Sequence, residues 1–449
     1  MNRRNRSHLA AILACALLFP VIAAAQGTPE PPAIDPGAGL IELPPITAGG
    51  GRFITPIAVP NTNNLGQSDP EGYTAWISDT IRRSLEISGY FDVFGPDRFF
   101  FDPSAEGMSA ATMNFANWYN VGAQAVAKTA FTVAGNQVSI DFRLYDVDNR
   151  AEIDIGFENG VVPIDQVRSE VYDFVNLIIQ YYAGAPGIFG SRIAFVGRDA
   201  AGHKQIYVMT MDGTGVRAVT SSPTIHLLPS FGPGGELMYT SYRNGNPDLF
   251  IGDDEARVLS GRPGINTGAE VSPDGSEIAV TLSLHGSSEI YIMDTDGTIV
   301  RRCTENNAED VSPTWSPDGS RIAFTSDRSG GPQIYVMNAD CSNQQRVTFA
   351  GGYNTAPEWS PLGDRIAFTG RDNRGRFDIF TVEPESRFIT RLTQDQGDNR
   401  EASWSPDGRY LVFTSTRGGS GGAIYVMTED GQIQTEIRPG TNETPVWER

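Results

Sequence analysis

The chain is poor in the residues that most often carry chemistry. It has three cysteines and four histidines in 449 residues. Cys15 and His8 fall inside the first 25 positions, which leaves Cys303, Cys341, His203, His226 and His285 for the rest. Positive charge is also scarce, with 34 Lys and Arg against 54 Asp and Glu. Such a surface repels nucleic acid and anionic lipid headgroups, so neither is an expected partner. Past residue 25 no apolar run approaches the length of a membrane-spanning helix, so direct membrane insertion is not expected. No Gly-rich phosphate cradle joins a strand to a helix. The Gly-Gly-Ser-Gly-Gly run around Ser420 lacks the strand-to-helix form of a nucleophile elbow. No cofactor is expected, and no group of residues has metal-ligand spacing.

What is present begins with an export signal. Arg3, Arg4 and Arg6 precede an apolar stretch from Leu9 to Ala25, and "AAAQ" offers a cut after Ala25. "ILAC" at Ile12–Cys15 faintly resembles a lipoprotein box, but "ALLFPVIAAA" still follows, so Cys15 reads as an ordinary signal residue. Removal of the signal leaves 31 basic against 54 acidic residues, a net charge of −23. The exported compartment permits a disulfide. Cys303 and Cys341 occupy different repeat positions, so the spacing leaves their pairing open.

Residues 26–52 are rich in Pro and Gly and read as a flexible leader. Within them Leu40, Ile41, Glu42 and Leu43 form one apolar island, able to add as a strand to a partner's sheet edge. Residues 53–184 have a mixed α/β pattern. "RFITPIAVP" reads as a buried strand. Ser68 with Glu71 predicts a capping box, and Pro70 fits the first turn. Ile77, Ile81 and Leu85 share one helical face, and Gly89 predicts the helix end. "YFDVFG" then reads as a strand. Val138, Ile140, Phe142 and Leu144 alternate as a half-buried strand does, after a Gly135–Asn136 turn. A last helix is expected from about Ile164 to Tyr182. Residues 185–190 form a connector.

Residues 191–449 repeat. "SRIAF" at Ser191 recurs as "GELMY", "SEIAV", "SRIAF", "DRIAF" and "RYLVF", at gaps of 44, 41, 44, 44 and 45 residues. A second strand of the "IYVM" type follows each copy, and a further strand follows that. A Pro-x-Trp strand, ending at Trp315, Trp359, Trp404 and Trp447 with Phe231 and Val271 as variants, makes four strands per unit. This period and strand count predict six blades of a β-propeller. The strands are offset: the array begins at Ser191 without a first strand and reaches Trp447 with one to spare. The strand at Trp447 is therefore expected beside Ile193, closing the ring and removing its open edges. The expected fold is a mixed α/β domain followed by an all-β six-bladed propeller closed by the C-terminal strand.

First strands of blades line a central channel, so the residues before them ring one mouth. Five positions before each anchor stand His226, Asn266, Asp310, Asn354, Asn399 and Asn442. The next positions, Leu227, Thr267, Val311, Thr355, Arg400 and Glu443, are more varied. One reading is turn chemistry, since Asn and Asp side chains bond nearby backbone. The other is a polar collar that docks a protein loop. A cation in an oxygen-rich channel is a third possibility. Two alternatives to docking are a hydrolase or lyase acting in the channel and a carbohydrate binder. The enzyme needs an acid, base or nucleophile held there with shifted pKa. The binder needs aromatic platforms, whereas the tryptophans fit better as packing between blades.

"WSPDGSRIAFTSDRSGGPQIYVMNAD", repeated after an exported α/β domain with "ITPIAVP" and "IRRSLEISGYFDVF", resembles the TolB family of the Tol–Pal envelope system. The resemblance covers nearly all of the chain after the signal. It implies a periplasmic, non-catalytic, monomeric scaffold. It also implies two partners. One is Pal, the peptidoglycan-associated lipoprotein, bound at the propeller mouth. The other is TolA, an inner-membrane protein, bound through the N-terminal segment. The implied role is outer-membrane integrity and inward movement of that membrane at division. Carried over by position, the Pal surface includes His226, Asn266, Thr267, Asp310, Val311, Asn354, Thr355, Asn399 and Asn442. The TolA segment lies before Phe53, at Leu40, Ile41, Glu42 and Leu43.

Overall fold

A computed structural model describes residues 54–449 apart from 67, 68, 70, 254 and 420. The expected signal peptide, its cleavage after Ala25, the leader and its Leu40–Leu43 island lie outside the described residues. The first unit is built on strands β1 (Thr55–Ala58), β2 (Asn63–Asn64), β3 (Phe91–Phe94), β4 (Ala125–Ala134), β5 (Gln137–Asp146), β6 (Ala151–Ile153) and β7 (Gly160–Pro163). Its sheet runs β3-β1-β4-β5-β6, with β2 on β4 and β7 on β5. β1 pairs in parallel with β3 and β4, while β4 and β5 form an antiparallel hairpin through Gly135–Asn136.

Helices α1 (Tyr73–Ser88), α2 (Phe115–Asn120) and α3 (Val167–Ala183) complete this unit. α1 turns Ile77, Ile81 and Leu85 inward and α3 turns Val171, Phe174, Val175 and Ile178 inward, onto the Val138, Ile140, Phe142 and Leu144 face of β5. Gly89 ends α1 with φ 74°, a left-handed conformation that costs glycine no Cβ clash. The start of α1 differs from expectation. The helix begins at Tyr73 with Gly72 at its N-cap, so Glu71 precedes the helix, and Ser68 and Pro70 lie outside the described residues. The Asp69 carboxylate accepts instead from the Tyr73 and Thr74 amides at 2.6 and 3.1 Å. A carboxylate on amides at a helix start also meets the favourable end of the helix dipole.

Six four-stranded antiparallel sheets follow. Their inner strands are Glu443–Trp447 in blade 1, His226–Phe231 in blade 2 and Asn266–Val271 in blade 3. Asp310–Trp315, Asn354–Trp359 and Asn399–Trp404 serve blades 4, 5 and 6. Blade 1 takes its inner strand from the far end of the chain, with Trp447 opposite Ile193 and Val446 opposite Ala194. The Trp side chains fill the gaps between blades. Trp315 packs with Ile290 and Ile292 of blade 3 and Ile322 of blade 4, and Trp359 does the same between blades 4 and 5. Each is buried, so these rings are packing groups rather than exposed platforms.

The α/β unit sits against blades 1 and 6. Arg83 of α1 donates to the Asp212 carbonyl at 2.7 Å, Tyr172 of α3 donates to the Asp212 carboxylate at 2.9 Å, and Tyr410 donates to the Ser88 carbonyl at 3.1 Å. Asn176 clamps the connector by exchanging two hydrogen bonds with the Phe189 backbone. Cys303 and Cys341 form a disulfide that staples the edge of blade 3 to a turn of blade 4.

Candidate functional site: the channel and its two rims

The inner strands share one irregularity. All six shift register by a bulge, between the second and fifth residues of the first five in chain order and between Glu443 and Val446 in the last. The residue in the bulge has positive φ in every blade: Leu228 (52°), Gly268 (60°), Ser312 (54°), Ala356 (52°), Glu401 (56°) and Thr444 (47°). Only one is glycine. The other five each carry a cost of about 1 kcal/mol or more that the surrounding ring must offset. The bulge bends each strand, and the residues that follow line a cavity of about 540 Å³ on the channel axis.

The rim where the inner strands begin carries the expected collar. Its six side chains are brought to one ring, but they are buried rather than displayed: His226 2% exposed, Asn442 5%, and the other four 0%. They close the junctions between blades. Asn354 donates to the Gln333 side chain at 2.8 Å, and the Thr348 hydroxyl donates to the same oxygen. Asn399 and Thr393 meet Asp378 in the same way, at 3.0 and 2.8 Å. Asn266 accepts from Ser260 at 2.6 Å and Asn442 donates to the Pro439 carbonyl. His226 bonds Ser222 at 2.8 Å. Thr267, Val311 and Thr355 are also buried. Asn442 bonds nearby backbone, as turn chemistry does, whereas Asn354 and Asn399 bond side chains of the preceding blade.

One junction carries two acids. Between blades 3 and 4 both partners are acids, Glu289 and Asp310, each fully buried. Arg302 faces Glu289 at 3.3 Å and Arg328 faces Asp310 at 2.7 Å. Burial nevertheless holds the Asp310 carboxyl above its usual pKa.

A partly solvent-facing cluster lies beside the collar, with Tyr353, Phe377 and Arg400 half-buried and Arg371 exposed. Tyr353 and Phe377 meet edge to face at 5.5 Å, Arg400 stacks over Phe377 at 3.5 Å, and Arg371 stands over Tyr353 at 5.4 Å. Arginine and aromatic side chains held in fixed geometry are typical of protein–protein hot spots.

The opposite rim, at the tryptophan end, holds residues that sequence reading did not single out. Glu270 and Glu358 point into the channel from the fifth positions of blades 3 and 5, and Glu401 lies at a bulge. Burial, with the neighbouring Glu358 carboxylate, pushes the Glu270 carboxyl up to about 8; burial pushes Glu401 up to about 7. Arg449 reaches in between and bonds Glu270 at 3.3 Å and Glu358 at 2.5 Å. These acids occupy variable positions within a repeat, so only closure of the ring reveals that they converge. Among the described residues no group of three or more His, Cys, Asp or Glu is arranged to hold a metal.

Comparisons with known proteins agree with this architecture. Residues 180–447 match the TolB beta propeller domain, and residues 46–153 match the TolB amino-terminal domain. The Tol-Pal system protein TolB of Anaeromyxobacter dehalogenans is 40% identical over 423 residues, covering 92% of this chain and 96% of the relative. That of Desulfosudis oleivorans is 38% identical over 256 residues, 56% of this chain and 58% of the relative. The crystal structure of TolB from Acinetobacter baumannii has the same fold, with a TM-score of 0.72 at 24% identity over 91% of this chain and 98% of that one. Both domains and their order are shared along nearly the whole length, and the chain belongs to the TolB family of Tol–Pal system proteins.

Proposed function

We propose that the protein is a non-catalytic periplasmic scaffold. It binds Pal on the rim where the inner strands begin and TolA through the segment before Phe53, including Leu40–Leu43. In this role it supports outer-membrane integrity and the inward movement of that membrane at division. The observation that carries the Pal site is the cluster of half-buried Tyr353, Phe377 and Arg400 with exposed Arg371, set on a rim whose loops are fixed from beneath. His226, Asn266, Asp310, Asn354, Asn399 and Asn442, with Thr267, Val311 and Thr355, act there by positioning those loops, because their side chains are buried. A rim held in one shape loses little conformational freedom on binding, which favours affinity.

A pull-down from envelope extract tests this reading, with wild type, Tyr353→Ala/Arg400→Ala and a deletion of residues 40–43. The expected result is loss of the peptidoglycan-associated lipoprotein with the rim variant only, and loss of TolA with the deletion only. Undiminished lipoprotein recovery by a correctly folded rim variant overturns the Pal site. A channel enzyme is the second reading, favoured by the raised pKa of Glu270 and Glu401. Against it, Arg449 already engages Glu270 and Glu358.

A further inference from the structure

We propose that the channel at the tryptophan rim is a receptor for a basic side chain of a protein partner, held shut in this structure by the chain's own Arg449. The residues one before each anchor form a ring of Ser230, Glu270, Thr314, Glu358, Ser403 and Val446. The Arg449 guanidinium lies within it, donating to Glu270, to Glu358 and to the Trp359 carbonyl at 2.8 Å. This is a guanidinium site with its ligand in place. Two carboxylates and a carbonyl match the planar fork of arginine.

The site has more acceptor capacity than its resident uses. Glu401 adds a third carboxylate to the same wall, with one oxygen taken by the Thr444 amide at 2.9 Å. The Ser230 and Thr444 hydroxyl oxygens in that wall are shielded from solvent and have no partner among the described residues. Around these polar groups the cavity is lined by prolines, Pro229, Pro313, Pro357 and Pro445 among them. Apolar walls with charge at one point suit the aliphatic stem and charged head of Arg or Lys.

Arg449 is placed to leave without opening the ring. Trp447 is fixed by Ser403 and Ser191, and Glu448 by the Arg192 backbone and side chain. Arg449 lies past these anchors and its side chain is 30% exposed. Its release leaves the closing strand paired. An incoming basic residue therefore competes with Arg449 for one seat, and the exchange does not depend on what docks on the opposite rim.

L-argininamide serves as the probe and the neutral isostere L-citrullinamide as its control, measured by titration calorimetry at low salt. Removing an internal competitor that fills the seat most of the time raises apparent affinity by about ten-fold. Arg449→Ala is therefore expected to bind L-argininamide about ten-fold more tightly than wild type. Arg449→Ala/Glu270→Gln/Glu358→Gln is expected to lose that gain, and citrullinamide is expected not to bind. Thermal melts confirm that each variant is folded, and Arg449→Lys, which keeps a cation in the seat, is expected to resemble wild type. No gain in Arg449→Ala, a gain that survives the two Gln substitutions, or equal binding of citrullinamide overturns the proposal.

Discussion

The indole N–H of Trp447 donates to the hydroxyl of Ser191 at 2.9 Å, joining residues 256 positions apart. Trp447 also pairs with Ile193, and two ion pairs, Arg192 with Glu448 and Lys204 with Glu443, flank it. Trp447 is 1% exposed. Trp447→Ala removes a buried ring from the seam and is expected to cost about 3–5 kcal/mol. Trp447→Phe, which keeps most of the apolar area, should lose less. Deletion of residues 441–449 should cost more than either. Urea denaturation checks all three, and an unchanged midpoint for the deletion refutes closure by this strand.

The disulfide between Cys303 and Cys341 closes a loop of 38 residues. By the chain-entropy argument it contributes about 3–4 kcal/mol by limiting the unfolded chain. Cys303→Ser/Cys341→Ser should lower stability by that order, and a reducing agent should do the same to wild type but not to the variant. Paired melts with and without dithiothreitol read this directly.

Asp310 offers a test with a definite sign. Its pKa is raised in the folded protein, so the folded state favours the protonated acid. The associated stability is full below the ordinary value of 3.8 and is lost as pH rises through the elevated one. Asn399 shows that an amide serves at the same place, since it accepts from Arg417 at 3.0 Å as Asp310 accepts from Arg328. Asp310→Asn is therefore expected to stabilise the protein by about 1 kcal/mol at pH 7 and to lose that advantage near pH 3. Urea midpoints at the two pH values check it; equal effects at both refute the protonation account.

The turn after the inner strand of blade 5 departs from its neighbours. In blades 3, 4 and 6 an Asp in Ser-Pro-Asp-Gly accepts from the preceding Ser hydroxyl at 2.6 Å and from the amide two residues on. Blade 5 has Leu362 there, 66% exposed. Leu362→Asp restores the bonding pattern and removes an exposed apolar group, and should raise stability by about 0.5–1 kcal/mol. A melt of the single variant suffices to read it.

The repeat made the propeller legible, because an apolar strand every 41 to 45 residues has few other ways to bury its faces. Trp447 was legible for the same reason: a strand with no neighbour in sequence needs one in space. Gly89, Gly135 and Asn136 marked their turns correctly because glycine and asparagine answer a backbone requirement. Asp69 was hidden because Ser68 and Glu71 offered a more familiar cap. The collar's positions could be read from spacing, but its burial could not, since an Asn at a strand start looks the same whether it faces solvent or a neighbouring blade. The disulfide was open because Cys303 and Cys341 come together only when blades 3 and 4 pack. Glu270, Glu358 and Arg449 were invisible for a related reason: the residue at their positions varies from blade to blade, and they meet only on the axis.

The order of the strands sets an order of events as the chain is made and folds. Arg192–Arg198 emerges early and keeps an unpaired edge until Glu443–Trp447 is delivered some 250 residues later. Until then that edge is a template for stray pairing with other chains. The protein is therefore most prone to aggregate in the interval before Glu443–Trp447 takes its place.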